Sequence, residues 1–228
     1  MQQRRRIRYS SIKQRGDARK WLGKFPNCPV FILGNGPSLN DEDITPLSNY
    51  LTIGINRSFY KLDSTILMWQ DASLWYSERK RLSEVKAIKY CTAHADPENR
   101  YYHFKISPGG FALPETVSTL KGSGSTSPLA VQLAYLMGCN PIILLGCDCR
   151  PRDGESDFYG NNKFHNPRTM SQCYVGLSWI KDLHESGKRT IISCSDNDLF
   201  PRQSLSSVLS SIDAKHKQNR EYWNQFLL

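Results

Sequence analysis

The run Val30-Phe31-Ile32-Leu33 stops abruptly at Gly34-Asn35-Gly36-Pro37-Ser38-Leu39. Consecutive apolar residues with β-branched members are the pattern of a strand covered on both faces, as in a parallel sheet between helices. Gly34 and Gly36 let the backbone approach a ligand or take positive φ, and Pro37 suits the first turn of a helix. A helix opening at Pro37-Ser38, with Asp41, Glu42 and Asp43 in its next turn, would aim unpaired N–H groups at the loop, an arrangement that holds phosphates. A plain strand-to-helix turn is the alternative.

The loop is neither a dinucleotide fingerprint, because the third glycine is missing, nor a Walker loop. Where a ribose-binding acid is expected, about 20 residues on, the run 51–55 is followed by Asn56. An amide there can bond a ribose or base edge without adding charge beside a phosphate.

Other apolar strands are expected at 65–69, ending in Gln70-Asp71, at 86–92, at 141–146 and at 189–194, with helices over 72–84, 126–137 and 170–183 and one or two more in 203–225. Leu129, Ala130, Leu133, Ala134 and Met137 recur at helical spacing before Gly138, and Ser125, Thr126 and Ser127 mark the start of that helix. This is a second glycine-serine loop feeding a helix, so it too can offer N–H and O–H donors to an oxyanion. The stretch 93–125 has little apolar periodicity and carries Pro108-Gly109-Gly110, and it is expected to be a lid-like insertion over a site. Strands alternating with helices give an α/β, doubly wound, mostly parallel (Rossmann-like) sheet with that lid and C-terminal helices. The expected division is a basic arm 1–24, a nucleotide-binding α/β domain 25–202 and a helical segment 203–228.

With 228 residues the chain can bury a sizeable core. No run approaches the roughly 20 apolar residues of a membrane span, and no apolar stretch near the N-terminus suits a signal peptide, so a cytoplasmic protein is expected. Seven cysteines at irregular spacings are expected to be reduced and partly buried. Cys147-x-Cys149 is read as packing, with metal binding or reactivity as the alternative. Net charge is +9, and residues 1–24 hold nine basic residues against Asp17, so the body is close to neutral. The arm can therefore bind nucleic acid, an anionic membrane face or an acidic partner, or be a solvated tail. A homo-oligomer is left open.

The opening motif, Asn56, Ser127 heading a helix, and the sequence from Met137-Gly138-Cys139-Asn140-Pro141 through Leu145-Gly146-Cys147-Asp148 together resemble a superfamily with two branches. One holds the archaeal 6-hydroxymethylpterin diphosphokinase type and the flagellin-glycosylating motility accessory factors. The other holds the bacterial lipooligosaccharide sialyltransferases. The resemblance implies nucleotide binding by Asn35, Ser38, Asn56, Thr126 and Ser127. Gly34, Gly36, Pro37, Gln70 and Asp71, at the same strand ends, are candidate nucleotide-binding residues from their positions. It matches Asp148 to the aspartate after the apolar strand and His165 to the catalytic histidine. Where the sialyltransferases use tyrosines on the departing phosphate, this chain has Arg150, with Arg152 near it and Tyr159 as the second position. Guanidinium forks suit a diphosphate better than tyrosine does.

The favoured reading is therefore glycosyl transfer from a nucleotide-activated donor, a CMP- or UDP-sugar, to a small-molecule or glycan acceptor. His165 would take the acceptor proton, and no metal is strictly needed, with magnesium left open. Asp148 can bind a ribose hydroxyl, orient His165, hold magnesium or cap a turn. Two alternatives stand: a magnesium-dependent diphosphokinase with Asp148 as ligand, and a non-catalytic nucleotide-binding or assembly protein docked to nucleic acid by its arm.

Overall fold

The computed structural model describes residues 18–108, 116–122, 124–162 and 167–228. Eight strands form a single parallel sheet in the order β6-β5-β4-β3-β2-β1-β7-β8: β1 (Val30–Leu33), β2 (Thr52–Ile55), β3 (Ile66–Trp69), β4 (Ile88–Thr92), β5 (Tyr102–Pro108), β6 (Thr119–Gly122), β7 (Ile142–Leu145) and β8 (Ile191–Ser193). β1 through β4 and β7 are buried at every position, and β1, β3 and β7 accordingly read as unbroken apolar runs.

Helices lie on both faces. Val30, Ile32, Ile53, Ile142 and Leu144 point towards α2 (Thr126–Leu136), α3 (Pro167–Glu185) and α5 (Arg220–Leu227). On the other face Phe31, Leu33, Ile143 and Leu145 pack on α4 (Leu205–Ser211), while Leu67, Trp69 and Cys91 pack on α1 (Ala72–Glu84). Gly54 separates these last two clusters, since a Cβ there would stand 2.4 Å from Ser64 Oγ and 2.5 Å from Ser58 Oγ. The doubly wound sheet expected from the alternation is thus present. α2 is buried nearly all round, as suits a helix crossing the middle of a sheet. The Gln132 amide fixes it to β6 by accepting from Lys121 N–H at 2.8 Å and donating to Lys121 C=O at 2.5 Å.

Three expectations are corrected. The stretch 93–125 is not wholly a loop, because it carries β5 and β6. Tyr102 and Phe104 face the core while His103 and Lys105 alternate outward, so these outer strands lack the continuous apolar signature. Residues 109–115 and 123, where a lid would lie, fall outside the described residues. The segment after β1 is a 3-10 turn, Pro37–Asn40, followed by a second one, Thr45–Asn49, rather than an α-helix. Finally, part of the arm is core. Trp21 is fully buried, its ring centroid lies 5.2 Å from that of Tyr90 and 4.9 Å from that of Tyr102, and its indole N–H donates to Leu227 C=O at 2.9 Å. Among the described residues, no helix is long and apolar enough to cross a membrane.

Candidate functional site

Strand order reverses between β1 and β7: the chain leaves β1 towards β2 on one side and returns through α2 to β7 on the other. In open parallel sheets this switch point, beyond the carboxyl ends of the strands, is where a crevice forms. Here the inner compartment is about 520 Å³, walled by Asn35 and Gly36 after β1, Gly146 to Arg150 after β7, and Ser125 to Ser127 at the start of α2. An outer compartment of about 860 Å³ continues over Asn56 and Arg57 after β2, Gln70 and Asp71 after β3, and Tyr159 and Asn162. Asn56, Ser125, Thr126 and Thr169 line both.

The first glycine loop does not present its donors to this space. Gly34 N–H donates to Leu145 C=O at 2.8 Å and Gly36 N–H to Gly146 C=O at 2.7 Å. Ser38 N–H donates to Asp148 Oδ2 at 2.8 Å, and Ser38 Oγ–H donates to Asp148 Oδ1. Asp148, almost fully buried, accepts a further bond from Asp196 N–H at 3.0 Å. The anion cradle expected at Gly36-Pro37-Ser38 is therefore filled by the protein's own carboxylate. The glycines serve close approach, since a Cβ on Gly34 would lie 2.2 Å from Gly146 O and one on Gly36 2.4 Å from Asp148 Oδ2. Asn35 is likewise engaged: Nδ2 donates to Ile55 C=O at 3.0 Å and Oδ1 accepts from Arg57 N–H at 3.1 Å, which ties the ends of β1 and β2 together.

The second loop is different. Thr126 is 3% exposed, and its Oγ1 is buried with no hydrogen-bond partner among the described residues. Removing a hydroxyl from water without a partner costs on the order of 1–3 kcal/mol. The first-turn N–H groups of α2 have no acceptor within the helix, and the positive end of its dipole points at the crevice. Across the crevice Asn56 takes φ +50°, a conformation asparagine tolerates better than other side chains. Among the described residues its side-chain amide has no hydrogen-bond partner, and neither has that of Gln70; both residues line the outer wall.

The two arginines part company. Arg150 stands on the inner wall, paired at 2.7 Å with Asp196. Arg152 is not on the wall. It grips both oxygens of Asp41, which holds that carboxyl below the usual range, and donates to Pro37 C=O at 3.1 Å, so its direct role in the crevice is corrected to bracing the 3-10 turn. Tyr159 does reach the outer wall, and burial first, then the Asp157 charge, pushes its phenol up to about 12, so it stays protonated at neutral pH.

Sequence reasoning missed Arg57, whose guanidinium donates to Glu78 at 3.1 Å and Ser77 at 2.8 Å and lies 5.8 Å from the Tyr159 ring centroid. Its place directly after Asn56 at a strand end was the available signal. It missed Asp157 as well, a fully buried carboxylate on the inner wall that accepts from Ser156 Oγ at 2.8 Å. The seven cysteines are thiols outside any disulfide, five of them buried and two half-buried. The half-buried Cys149 and Cys173 place their sulfurs 2.8 Å apart on the inner wall. His165 lies outside the described residues. On either side of it in sequence, Asn162 and Thr169 both line the crevice.

No protein-family model and no curated protein matches the chain. Among solved structures it is similar to the sialyltransferase CstII from Campylobacter jejuni. In complex with the substrate analogue CMP-3FNeuAc, that protein is 15% identical, over 85% of this chain and 86% of that one, with a TM-score of 0.45. In complex with cytidine-5'-monophosphate it is 17% identical, over 86% of each chain, with a TM-score of 0.43.

Proposed function

We propose that this chain is a nucleotide-dependent group transferase, most concretely a glycosyltransferase that uses a nucleotide-activated sugar. The observation that carries the reading is the buried, unpartnered Thr126 hydroxyl at the head of α2, set in a crevice at the switch point of the sheet. The N-terminus of α2, Thr126 and Ser127 would take the donor phosphate, while the Asn56 and Gln70 amides face the space for ribose and base. Arg150 on the inner wall would meet charge developing on the leaving phosphate.

His165 is assigned the general base. In that step the acceptor hydroxyl loses its proton to the imidazole as its oxygen bonds to the donor sugar carbon. The bond from that carbon to the phosphate oxygen breaks, and the nucleotide leaves with the electron pair. A histidine of ordinary pKa can accept a proton at neutral pH. Asp148 is assigned an organising role instead of a catalytic or magnesium-binding one, because its carboxylate already accepts three hydrogen bonds. With cationic groups and a helix N-terminus around the phosphate, the reaction as proposed needs no divalent metal. The arm remains a candidate for holding an anionic acceptor or surface, with residues 1–17 outside the described part.

The test is release of nucleotide from CMP- and UDP-sugars in chelator, with an acceptor panel of small glycans. Turnover in chelator that is lost in His165→Ala supports the reading. Turnover restricted to ATP with magnesium would replace it by diphosphate transfer.

A further inference from the structure

A second cluster lies one strand beyond the outer compartment, on the α1 side of the sheet. Cys91 on β4 and His103 on β5 are direct partners in the parallel register. Asp96 comes from the turn that joins their strands. One ligand atom from each, the Cys91 sulfur, an Asp96 carboxylate oxygen and a His103 ring nitrogen, lies within 4.8 Å of the other two. Among the described residues this is the one trio of such side chains so grouped.

The carboxylate is anchored through one oxygen and bare at the other. Asp96 Oδ2 accepts from Arg100 N–H at 2.6 Å, Tyr101 N–H at 2.8 Å and His103 Nε2 at 3.0 Å. Oδ1 is fully buried with no partner. Cationic side chains nearby are directed elsewhere: the Lys89 ammonium donates to Val85 and Ala87 carbonyls, and Arg100 pairs with Glu98 at 3.0 Å. A buried carboxylate with one bare oxygen is costly unless a cation or donor meets it.

We propose that Cys91, Asp96 and His103 bind a zinc ion, with a water as fourth ligand. A thiolate, an imidazole and a carboxylate are a donor set that suits zinc, held at about 2.0–2.3 Å from each atom. Three ligand atoms within 4.8 Å of one another are close enough to converge on a single ion. The His103 side chain is 24% exposed, which gives the ion a route in and the water a place. Burial keeps the Cys91 thiol protonated in the metal-free protein, so binding releases that proton to solvent. Bound zinc would pin the turn between β4 and β5, on which Trp69 rests through its N–H donated to Ala95 C=O at 3.1 Å. Gln70 and Asp71, the next two residues, line the outer compartment, so the ion would stiffen that wall from behind.

The experiment uses the full chain, stripped with chelator and then dialysed against micromolar zinc or cobalt(II). The expected result is one equivalent of metal retained, with a thiolate-to-cobalt charge-transfer band. Cys91→Ser should lose the band, and both Cys91→Ser and His103→Gln should bind more than about 100-fold more weakly, beyond what loss of an outer-shell partner costs. Cys149→Ser should leave both stoichiometry and band unchanged. No metal retained by the wild-type chain, or a band that persists in Cys91→Ser and vanishes in Cys149→Ser, overturns the assignment. His103→Gln, altered at a partly exposed position, supplies the answer if Cys91→Ser does not fold.

Discussion

The loop after β1 and the loop before α2 look alike on paper: glycine, a hydroxyl residue and proline before an expected helix. In the folded chain they do opposite things. The first closes on itself, with the Ser38 N–H and O–H on Asp148 and the Gly36 N–H on Gly146 C=O. The second heads an α-helix of eleven residues and leaves Thr126 Oγ1 buried and unmatched. Resemblance of motif reports local conformation; where the donors point is decided by residues more than a hundred positions away. One loop is a brace and the other is a receptor.

That contrast can be attacked from several sides. The largest effect belongs to neither loop: if the receptor loop binds the donor and His165 does the chemistry, His165→Ala should lower transfer by about 10²- to 10⁴-fold with nucleotide affinity unchanged in a titration. A parallel loss of affinity would place His165 in binding. Next is Asp148→Ala, which strands three donors, two of them buried, and should destabilise the chain by about 3 kcal/mol, a Tm drop of roughly 6–12 °C for a domain of this size. Were the first loop an anion cradle, the same change would free its N–H groups and tighten nucleotide binding with little loss of stability. The smallest effect is at Thr126→Val, which should weaken nucleotide binding by about 1 kcal/mol, roughly five-fold, with Tm unchanged or slightly raised because a buried unpaired hydroxyl is gone. A Tm loss at Thr126 with unchanged affinity would make both loops braces.

The fold was legible where burial is two-sided. β1, β3 and β7 are apolar throughout, and α1 spans Ala72–Glu84 as the spacing of Leu74, Trp75 and Leu82 predicts. β5 and β6 were not legible, because an outer strand alternates and β6 buries only Leu120 of its four residues. The 3-10 turn after β1 was misread because glycine, proline and serine give the start signal of a helix while nothing apolar follows at helical spacing. In the crevice, the rule that ligands sit beyond strand ends pointed to Asp148, Arg150 and Arg152, of which Asp148 and Arg150 line the inner compartment, while the loop and helix-start patterns pointed to Asn35, Asn56 and Thr126, which line it too. Engagement was not legible. The pairing of Arg152 with Asp41 and of Asp148 with Ser38 depends on how distant loops pack, and no local pattern encodes it.

The central claim is that the α2 loop receives a nucleotide. It is tested most directly by thermal shift with CMP, CDP, UDP, GDP, ADP and ATP, with and without magnesium, on the wild-type chain and Thr126→Val. A ligand at about 100 times its Kd adds roughly 2.7 kcal/mol, which for a domain of this size is a rise of roughly 5–10 °C. The account predicts such a rise with a cytidine or uridine nucleotide in the absence of magnesium, reduced in Thr126→Val. No rise with any nucleotide, or a rise that Thr126→Val leaves untouched, would contradict it.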